Sequence, residues 1–282
     1  MSKSENSILN TIQKRKSVRS YNDTVINENI LKELLKYSES NSSGPFANSI
    51  NFQIVDAQGF DTRSLKSLGT YGIIRGAKHY LVGIVKPAPH CTEDFGYCME
   101  TAMLKATELG LGTCWLGGFL NRSTFADLCK ISGDDVIPAV TPIGYRAKRT
   151  TFRDKMIRKV VKADNRASFS SLFFLDDFTQ DLSYDVSKAF HKLLECVRKA
   201  PSASNKQPWK IILNSNTLHL YLDEDSAYNK KYEPVLLQNM DMGIAMAHID
   251  LAARELGLFG KWTTVKSAPK HESYQYISSW IN

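Results

Sequence analysis

Two arginines and a serine lie at alternate positions near the beginning of the chain: Arg15, Ser17 and Arg19, within residues 14–21. On an extended segment, alternate side chains point to the same side. Guanidinium groups bind phosphate in a bidentate manner, so this spacing predicts a site for one phosphate or for the polar edge of a ring. A solvated basic run, which is common near a chain terminus, is the alternative.

A second candidate is the glycine-rich stretch at residues 109–119, which holds four of the sixteen glycines. Gly117 and Gly118 directly follow Trp115 and Leu116. Because glycine has no side chain, it lets the backbone approach a flat ligand closely and adopt positive φ. The stretch therefore suits the face of a planar cofactor. The alternative is that its glycines only end a helix before a buried strand.

Basic residues are concentrated at residues 146–166, where the acidic residues are Asp154 and Asp164. The basic residues of this segment are Arg146, Lys148, Arg149, Arg153, Lys155, Arg158, Lys159, Lys162 and Arg166. The apolar residues that recur at helical spacing within it are Phe152, Met156, Ile157, Val160 and Val161. They predict an amphipathic helix with a solvated basic face. Attraction of a phosphate-bearing small molecule is the second interpretation, and nucleic-acid binding is the third.

The composition is that of an ordinary globular protein, with 43% hydrophobic and 23% charged residues and a net charge of +7. The five cysteines are odd in number and include no Cys-x-x-Cys pair. We therefore expect a reduced chain with no disulfide framework and no metal site. Neither a signal-peptide core nor a run of about 18 apolar residues is present, so we expect a cytoplasmic protein that does not enter the membrane.

Apolar periodicity predicts alternating helices and strands. After a short helix at residues 8–13, it predicts a helix around residues 30–37, buried strands at 52–55 and 79–85, a central helix at 94–109, a short helix at 123–130 and an edge-like strand at 136–145. Further along, it predicts a helix at 186–197, strands at 210–213 and 218–222, a second central helix and a terminal strand at 274–281.

The central helix and the glycine-rich stretch occur twice. Setting Asp94 against Asp241 without gaps gives ten identities over 22 positions, ending at Trp115 and Trp262. Average composition would supply about one or two. We infer an internal duplication into two similar halves, residues 1–165 and 166–282, packed around a pseudo-twofold axis. The terminal strand suits an element that is donated to the sheet of the other half.

Three motifs in combination resemble the flavin-dependent nitroreductase family. Residues 12–21 match its opening Arg-x-Ser-x-Arg element, residues 110–119 its Gly-x-Gly-Thr-x-Trp-x-Gly loop, and residues 201–209 its Pro-Ser-x-x-Asn-x-Gln-Pro-Trp segment. Asp164-Asn-Arg166 is a looser match to a basic element near the family's C-terminus. The resemblance covers most of the chain. It implies an α+β fold of two duplicated halves, each with a mainly antiparallel sheet flanked by helices, arranged as an intrachain pseudo-dimer.

By the same resemblance, FMN is the expected cofactor, bound between the two halves by residues of both. The first half's counterpart of the Pro-Ser segment, residues 42–50, is degraded, and the second half has no Arg-x-Ser-x-Arg element. Only one complete site can be assembled, so we expect one FMN per chain. The implied cofactor-binding residues are Arg15, Lys16, Ser17, Arg19, Trp115, Leu116, Gly117, Gly118, Arg166, Pro201, Ser202, Ala203, Ser204, Asn205 and Gln207.

The resemblance also implies roles within this set. Arginines, Arg166 among them, would bind the phosphate, which carries a charge of about −2. Ser202, Ser204 and Asn205 suit the ribityl chain and the phosphate, and a backbone N–H near Gly117 would contact flavin N5. Because the flavin carries the redox chemistry, no dedicated catalytic residue is expected.

The implied activity is that of an NAD(P)H-dependent oxidoreductase. NADH or NADPH would reduce FMN and leave, and an electron-poor acceptor such as a nitroaromatic or a quinone would then take its place in a ping-pong mechanism. The expected partner is this small-molecule acceptor, with no nucleic acid, and the chain would act as a monomeric pseudo-dimer or pair into a further homodimer. The alternatives are a flavin-binding or flavin-storing protein with little turnover, and a nucleic-acid or scaffold protein that uses residues 146–166.

Overall fold

A computed structural model describes residues 7–70, 73–118, 120–131, 133–148, 152–160, 162, 165–183 and 188–282, except the side chains of residues 62, 65, 152, 153, 188 and 189. Phe119, Arg149, Val161 and Asp164, which the sequence predictions include, lie outside this set. None of the helices in these ranges is long and apolar enough to cross a membrane.

The chain divides into two compact units. The N-terminal unit comprises the described residues of Lys14–Ala163, and the C-terminal unit comprises those of Met1–Gln13 and Asp164–Asn282. The first helix joins the C-terminal unit through its first turn, because Glu255 accepts hydrogen bonds from the Ser7 hydroxyl and from the Ile8 N–H, each at 2.5 Å. The domain boundaries given above, 1–165 and 166–282, stay a prediction.

The helices are α1 (Ile8–Lys14), α2 (Glu28–Ser40), α3 (Thr62–Ser67), α4 (Cys91–Glu108), α5 (Arg122–Cys129), α6 (Phe152–Val160), α7 (Lys188–Lys199), α8 (Ser226–Tyr232) and α9 (Leu237–Glu255). The strands are β1 (Ile50–Asp56), β2 (His79–Val85), β3 (Val140–Ile143), β4 (Phe173–Leu175), β5 (Trp209–Asn214), β6 (Thr217–Leu222), β7 (Lys261–Thr263) and β8 (Gln275–Ile281). A short 3₁₀ turn spans Ala203–Asn205.

In the N-terminal unit, an antiparallel sheet has the order β1-β2-β3. Its register runs from Ile50 opposite Val85 to Asp56 opposite His79. Every residue of β2 is buried, which explains why its sequence is a continuous apolar run rather than an alternating one. Helix α2 begins at the predicted N-cap, since the Asn27 side chain accepts a hydrogen bond from the Asn29 N–H. It packs against both α4 and β1.

In the C-terminal unit, the sheet has the order β4-β5-β6-β8-β7. Only the β4–β5 pair among the described strands is parallel. The terminal strand β8 pairs with β6 and β7 of its own unit, so the expectation that it is donated to the other half is wrong. Its Trp280 is 1% exposed and lies opposite Leu218 and Trp262 in the register, which fixes the strand between β6 and β7 in the interior of this sheet.

The two units repeat one topology. The series α2, β1, β2, α4 and β3 of the N-terminal unit corresponds to α7, β5, β6, α9 and β8 of the C-terminal unit, and the sheet orders β1-β2-β3 and β5-β6-β8 agree. The prediction of an α+β fold with duplicated halves, each built on a mainly antiparallel sheet flanked by helices, is therefore confirmed.

Candidate functional site

The Arg-x-Ser-x-Arg segment is extended and lies along the end of the glycine-rich stretch. Ser17 forms a parallel β-bridge with Thr113, and the Val18 N–H donates to the Thr113 carbonyl at 2.8 Å. A Cβ atom at Gly112 would come within 2.8 Å of the Val18 side chain. Glycine at this position therefore permits the close approach of the two segments.

A buried carboxylate connects the same two segments. Glu100, in the middle of α4, is fully buried, and its Oε1 lies 3.5 Å from Nε of Arg15, whose side chain is 5% exposed. The other carboxylate oxygen of Glu100 accepts a hydrogen bond from Trp115 Nε1 at 2.8 Å. Glu100 was not among the predicted site residues. The alignment of the two halves could have indicated it, because it pairs Glu100 with Ala247 and Trp115 with Trp262, so that only one half has the carboxylate.

Two polar atoms in this region lack hydrogen-bond partners within the described part of the chain. They are Nη1 of Arg15 and the Thr113 hydroxyl, and both are buried. Leaving a buried polar group unsatisfied costs about 1–3 kcal/mol. Such atoms are therefore candidates to bind the polar atoms of a ligand.

The second arginine of the motif has its own acidic partner. Nη1 of Arg19 lies 3.3 Å from Oδ1 of Asp154 on α6, and both side chains are largely buried. Burial raises the pKa of the nearby Cys114 thiol, while Arg19, Arg15 and a hydrogen bond with Ser17 oppose that shift in its pKa. The three side chains of the motif thus all lower the pKa of one thiol. This agrees with the prediction that alternate side chains of the extended segment point to the same side.

A cationic pocket lies beside this segment in the N-terminal unit. It has a volume of about 180 Å³ and is lined by Lys16, Ser17, Val18, Ser20, Arg146, Asp154, Lys155 and Arg158. Four basic side chains and one carboxylate give it a net positive charge, which suits a phosphate group. Lys16 and Ser17 were predicted site residues. Arg15 and Arg19 are not among the lining residues, and the contribution of α6 was indicated only by the general basic character of residues 146–166.

Of the five apolar residues predicted for one face of α6, the structure describes the side chains of Met156, Ile157 and Val160, and two of these three are exposed. Met156 is 51% exposed and Val160 is 76% exposed, whereas Asp154 is 5% exposed. The ion pair with Arg19 explains the orientation, because it draws the acidic residue to the protein side of the helix. The basic side chains of α6 therefore do more than face solvent, since Lys155 and Arg158 line the cationic pocket.

The glycine-rich loop is held from both sides. Leu116 and Val140 exchange backbone hydrogen bonds at 3.0 Å, and the Arg122 guanidinium donates to the Gly117 carbonyl. Arg122 also donates to the carbonyls of the segment just before β3, and burial lowers its pKa. Arg122 was not among the predicted site residues. Its hydrogen-bond acceptors are backbone carbonyls, which every residue has, so the contacts produce no pattern in the sequence.

In the C-terminal unit, the predicted segment from Pro201 to Gln207 is a tight turn. The Ser202 hydroxyl accepts a hydrogen bond from the Gln207 N–H at 2.8 Å. Ser204, Asn205 and Gln207 have φ values of 50°, 57° and 51°, in the left-handed region that residues other than glycine rarely adopt. Strained backbone of this kind is concentrated at ligand-binding sites.

Arg166, which belongs to the loosest of the motif matches, lies next to this turn. Its Nη1 donates to Oδ1 of Asn205 at 3.1 Å, and its Nη2 donates to the carbonyl of Lys199 at 3.3 Å. The adjacent Ala167 N–H donates to Oε1 of Gln207 at 3.0 Å. The structure thus brings Arg166 together with the Pro-Ser segment within one unit. The Arg-x-Ser-x-Arg segment and the glycine-rich loop belong to the other unit.

Comparison with known proteins assigns the chain to one family. A family model described as "Putative TM nitroreductase" matches residues 7–253. A crystal structure of a putative nitroreductase from Thermotoga maritima is similar over 98% of this chain and 93% of its own, with a TM-score of 0.60 and 20% sequence identity. No curated protein matches the chain. The match to the Thermotoga protein confirms the nitroreductase-like fold.

Two further solved structures match about half of the chain. A nitroreductase family protein from Clostridium novyi NT has 20% identity and a TM-score of 0.43, covering 50% of this chain and 86% of its own. An FMN-dependent nitroreductase from Clostridium difficile R20291 has 21% identity and a TM-score of 0.40, covering 50% of this chain and 88% of its own.

Proposed function

The chain belongs to the family described as "Putative TM nitroreductase", and from this premise we propose that it is an FMN-dependent oxidoreductase that uses NADH or NADPH. Its acceptors would be electron-poor small molecules such as nitroaromatics or quinones. The observation that carries the proposal is the cationic pocket beside the Arg-x-Ser-x-Arg segment, lined by Lys16, Ser17 and the basic side chains of α6.

The side chains fit the proposed cofactor. A phosphomonoester carries a charge of about −2 near neutral pH, and the pocket offers Lys16, Arg146, Lys155 and Arg158 against a single carboxylate. The unpartnered Nη1 of Arg15 is a buried donor that an acceptor oxygen of the cofactor would satisfy. These residues support FMN rather than riboflavin, which lacks the phosphate.

Other residues would orient the cofactor. Glu100 and Arg122 fix the loop that carries Trp115 and Gly117, and the loop backbone is proposed to face the flavin ring. Ser202, Ser204 and Asn205 of the C-terminal unit, with Arg166, remain proposed ligands of the ribityl chain and the phosphate. When bound, FMN supplies the redox chemistry by accepting two electrons from a nicotinamide and passing them to the acceptor. The protein's part is binding and orientation.

The first test is an anaerobic titration of the purified chain with NADPH and then with NADH, with the flavin spectrum and the flavin content per chain measured together. We expect about one FMN per chain, bleaching by at least one nicotinamide, and recovery of the oxidised spectrum when a quinone or nitroaromatic is added. Bound flavin that stays oxidised would favour a flavin-storing protein. A colourless protein that FMN does not reconstitute would overturn the proposal.

The phosphate pocket has a matched test on one helix. Lys155→Glu reverses a charge that lines the pocket, whereas Lys159→Glu makes the same change one turn later at an exposed position outside it. We expect the first variant to lose at least about tenfold in FMN affinity, equivalent to about 1.4 kcal/mol, with riboflavin affinity unchanged. The control should bind both as the unmodified protein does. Equal losses in the two variants would indicate only a general effect of charge.

A further inference from the structure

A second cavity lies in the C-terminal unit, under the loop that joins β7 to β8. Its volume is about 340 Å³, within the usual range for small-molecule pockets. The lining residues are Tyr221, Thr264, Val265, Lys266, Ala268, Pro269, Lys270, His271, Tyr274 and Tyr276. The combination of tyrosines and lysines distinguishes it from the cationic pocket of the other unit.

Aromatic rings form one wall of this cavity. His271 and Tyr274 are stacked, with ring centroids 4.0 Å apart and an interplanar angle of 10°. Phe178 supports both rings from the side, at 4.7 Å and 5.1 Å, and also contacts Tyr221 at 4.9 Å. His271 covers one face of the Tyr274 ring and is itself exposed, so the outer face of His271 offers a flat surface on which a planar ligand can stack.

The loop over the cavity is fixed by hydrogen bonds. The buried Tyr221 donates its hydroxyl to the Pro269 carbonyl at 2.6 Å, and the Tyr276 hydroxyl accepts from the Val265 N–H at 2.9 Å. Tyr276 is held in turn by Ser279 at 2.7 Å. The cavity is therefore preformed, so that a ligand would not have to order the loop on binding.

The charge around the cavity is positive. Lys266 and Lys270 are exposed at its rim, no carboxylate is among the lining residues, and neither lysine has an acidic partner in the part of the chain that the structure describes. The neighbouring Asp223 is 3.5 Å from Lys210, whose ammonium group lies 5.6 Å from the centroid of the Tyr274 ring. An anionic group on a bound ligand would thus face two unneutralised lysines.

The position of the cavity in the repeat is informative. Continuing the gapless alignment beyond Trp115 and Trp262 sets Gly117 opposite Thr264 and Gly118 opposite Val265. Two lining residues of the cavity therefore replace the glycine pair of the other half. They add side chains at two positions where the other half has only backbone.

We propose that the cavity under the β7–β8 loop binds a planar aromatic carboxylate, with the ring on the His271–Tyr274 stack and the carboxylate between Lys266 and Lys270. None of its lining residues is a proposed cofactor ligand, and the proposal does not rest on the proposed function. Ammonium groups recognise an anion through charge rather than through a fixed fork geometry, so a singly charged carboxylate on the ring is sufficient for this recognition.

The test is isothermal titration calorimetry of the full-length protein, supplemented with FMN, using 2-naphthoate as the probe. We expect a dissociation constant below about 1 mM. The neutral 2-naphthamide, which has the same shape, should bind at least about tenfold more weakly because it lacks the charge that the lysines recognise.

Two variants and one control locate the bound probe. Lys266→Ala with Lys270→Ala, and separately Tyr274→Ala, should each weaken binding at least about tenfold. Lys230→Ala with Lys231→Ala removes the same charge from an exposed part of α8 outside the cavity and should have no effect. Circular dichroism would verify that each variant is folded.

Several outcomes would overturn the proposal. They are the absence of binding at about 10 mM probe, equal affinity for the acid and the amide, or the same loss in the α8 control as in the cavity variants. Binding that survives the cavity variants but is lost in Lys155→Glu would assign the probe to the cationic pocket of the other unit.

Discussion

Asp94 and Asp241 hold equivalent positions in the two units and bind equivalent loops. Asp94 of α4 accepts backbone hydrogen bonds from Phe46 and Asn48 at 2.9 and 2.8 Å. Asp241 of α9 accepts one from the Ala203 N–H at 2.9 Å. The central helix thus fixes the loop between α2 and β1 in one unit and the loop between α7 and β5 in the other. The two carboxylates show that the duplication extends to side-chain function.

The stability contributed by Asp241 should depend on pH. Burial raises the pKa of Asp241 well above its ordinary value, so the folded state holds this proton at higher pH than the unfolded state does. Its contribution is full below the unfolded pKa, near 4, and is lost as the pH rises through the folded pKa.

Asp241→Asn, which stays neutral, should therefore gain in free energy of unfolding relative to the unmodified protein as the pH rises from about 5 to 8. Urea denaturation at several pH values measures this difference. Asp134→Asn, the same change at an exposed position, is the matched control, and a constant difference for Asp241→Asn would contradict the prediction.

Removing Glu100 should strongly destabilise the N-terminal unit. Glu100→Ala leaves the Arg15 charge buried without its carboxylate and removes the acceptor of Trp115 Nε1. Breaking a buried ion pair in this way costs about 3–5 kcal/mol. Glu100→Gln, which keeps an acceptor for the tryptophan, should cost less.

Urea denaturation checks this order, and a second substitution checks the cause. Adding Arg15→Met to Glu100→Ala should recover stability, because no buried charge is then left uncompensated. Glu108→Ala removes a partly exposed carboxylate from the same helix and should cost less than about 1 kcal/mol. A double variant less stable than Glu100→Ala would show that the charge is not the source of the loss.

Gly112→Ala should separate the Arg-x-Ser-x-Arg segment from the glycine-rich stretch. The added methyl group would contact Val18 at 2.8–2.9 Å, and overpacking of this kind costs about 1–3 kcal/mol. Gly110→Ala meets no neighbour within 4 Å and carries only the penalty of its φ of +79°, about 1–2 kcal/mol.

The two glycines are distinguished by a double-mutant cycle with Val18→Ala, followed by urea denaturation. Val18→Ala removes both γ-methyl groups but keeps the Cβ at 2.8 Å, so it should relieve part of the strain of Gly112→Ala and make their effects on the free energy of unfolding non-additive. It should add simply to the effect of Gly110→Ala. Additive effects in both pairs would mean that the contact with Val18 does not limit the size of the side chain at residue 112.

Replacing Asn205 should affect cofactor binding more than stability. Asn205→Ala and Asn205→Gly both remove the acceptor of Arg166 Nη1, so each should lose at least about tenfold in FMN affinity, measured by flavin fluorescence. The glycine variant should be the more stable of the two by about 1 kcal/mol, because φ is +57° at this position. Lys206→Ala, at the next residue, removes an ion pair with Asp225 and a cation–π contact with the Tyr228 ring, and it should bind FMN normally. Unequal FMN affinities for the two Asn205 variants would assign the effect to the backbone instead.

Elements with a strong local pattern were predictable from sequence. Residues 79–85 form β2 as predicted, because a strand covered on both faces must be apolar throughout. The central helix and its repeat were identified by ten aligned identities, and their equivalence in the structure follows from the same residues. Short elements such as α8 and β7 were not predicted, since seven residues of helix or three of strand carry too little periodicity.

Pairings between distant residues were not predictable. The partner of β8 depends on which sheet edge it reaches, and an apolar strand pattern is compatible with either half. The roles of Glu100 and Asp154 depend on the arginines that they meet across about 85 and 135 residues. An amphipathic pattern alone therefore gave the wrong orientation for α6, where one ion pair outweighs two exposed apolar side chains.

The position of β8 constrains how the protein is made. Residues 275–281 are synthesised after every other described strand of the C-terminal sheet, yet this strand lies between β6 and β7. Domains tend to fold as units in the order of their synthesis, so the N-terminal unit can complete its sheet while translation continues. The C-terminal sheet must wait for β8, and the edge of β6 stays unpaired until that strand is synthesised. A chain truncated before residue 275 would thus keep the other strands of this sheet and lack the one that connects β6 to β7.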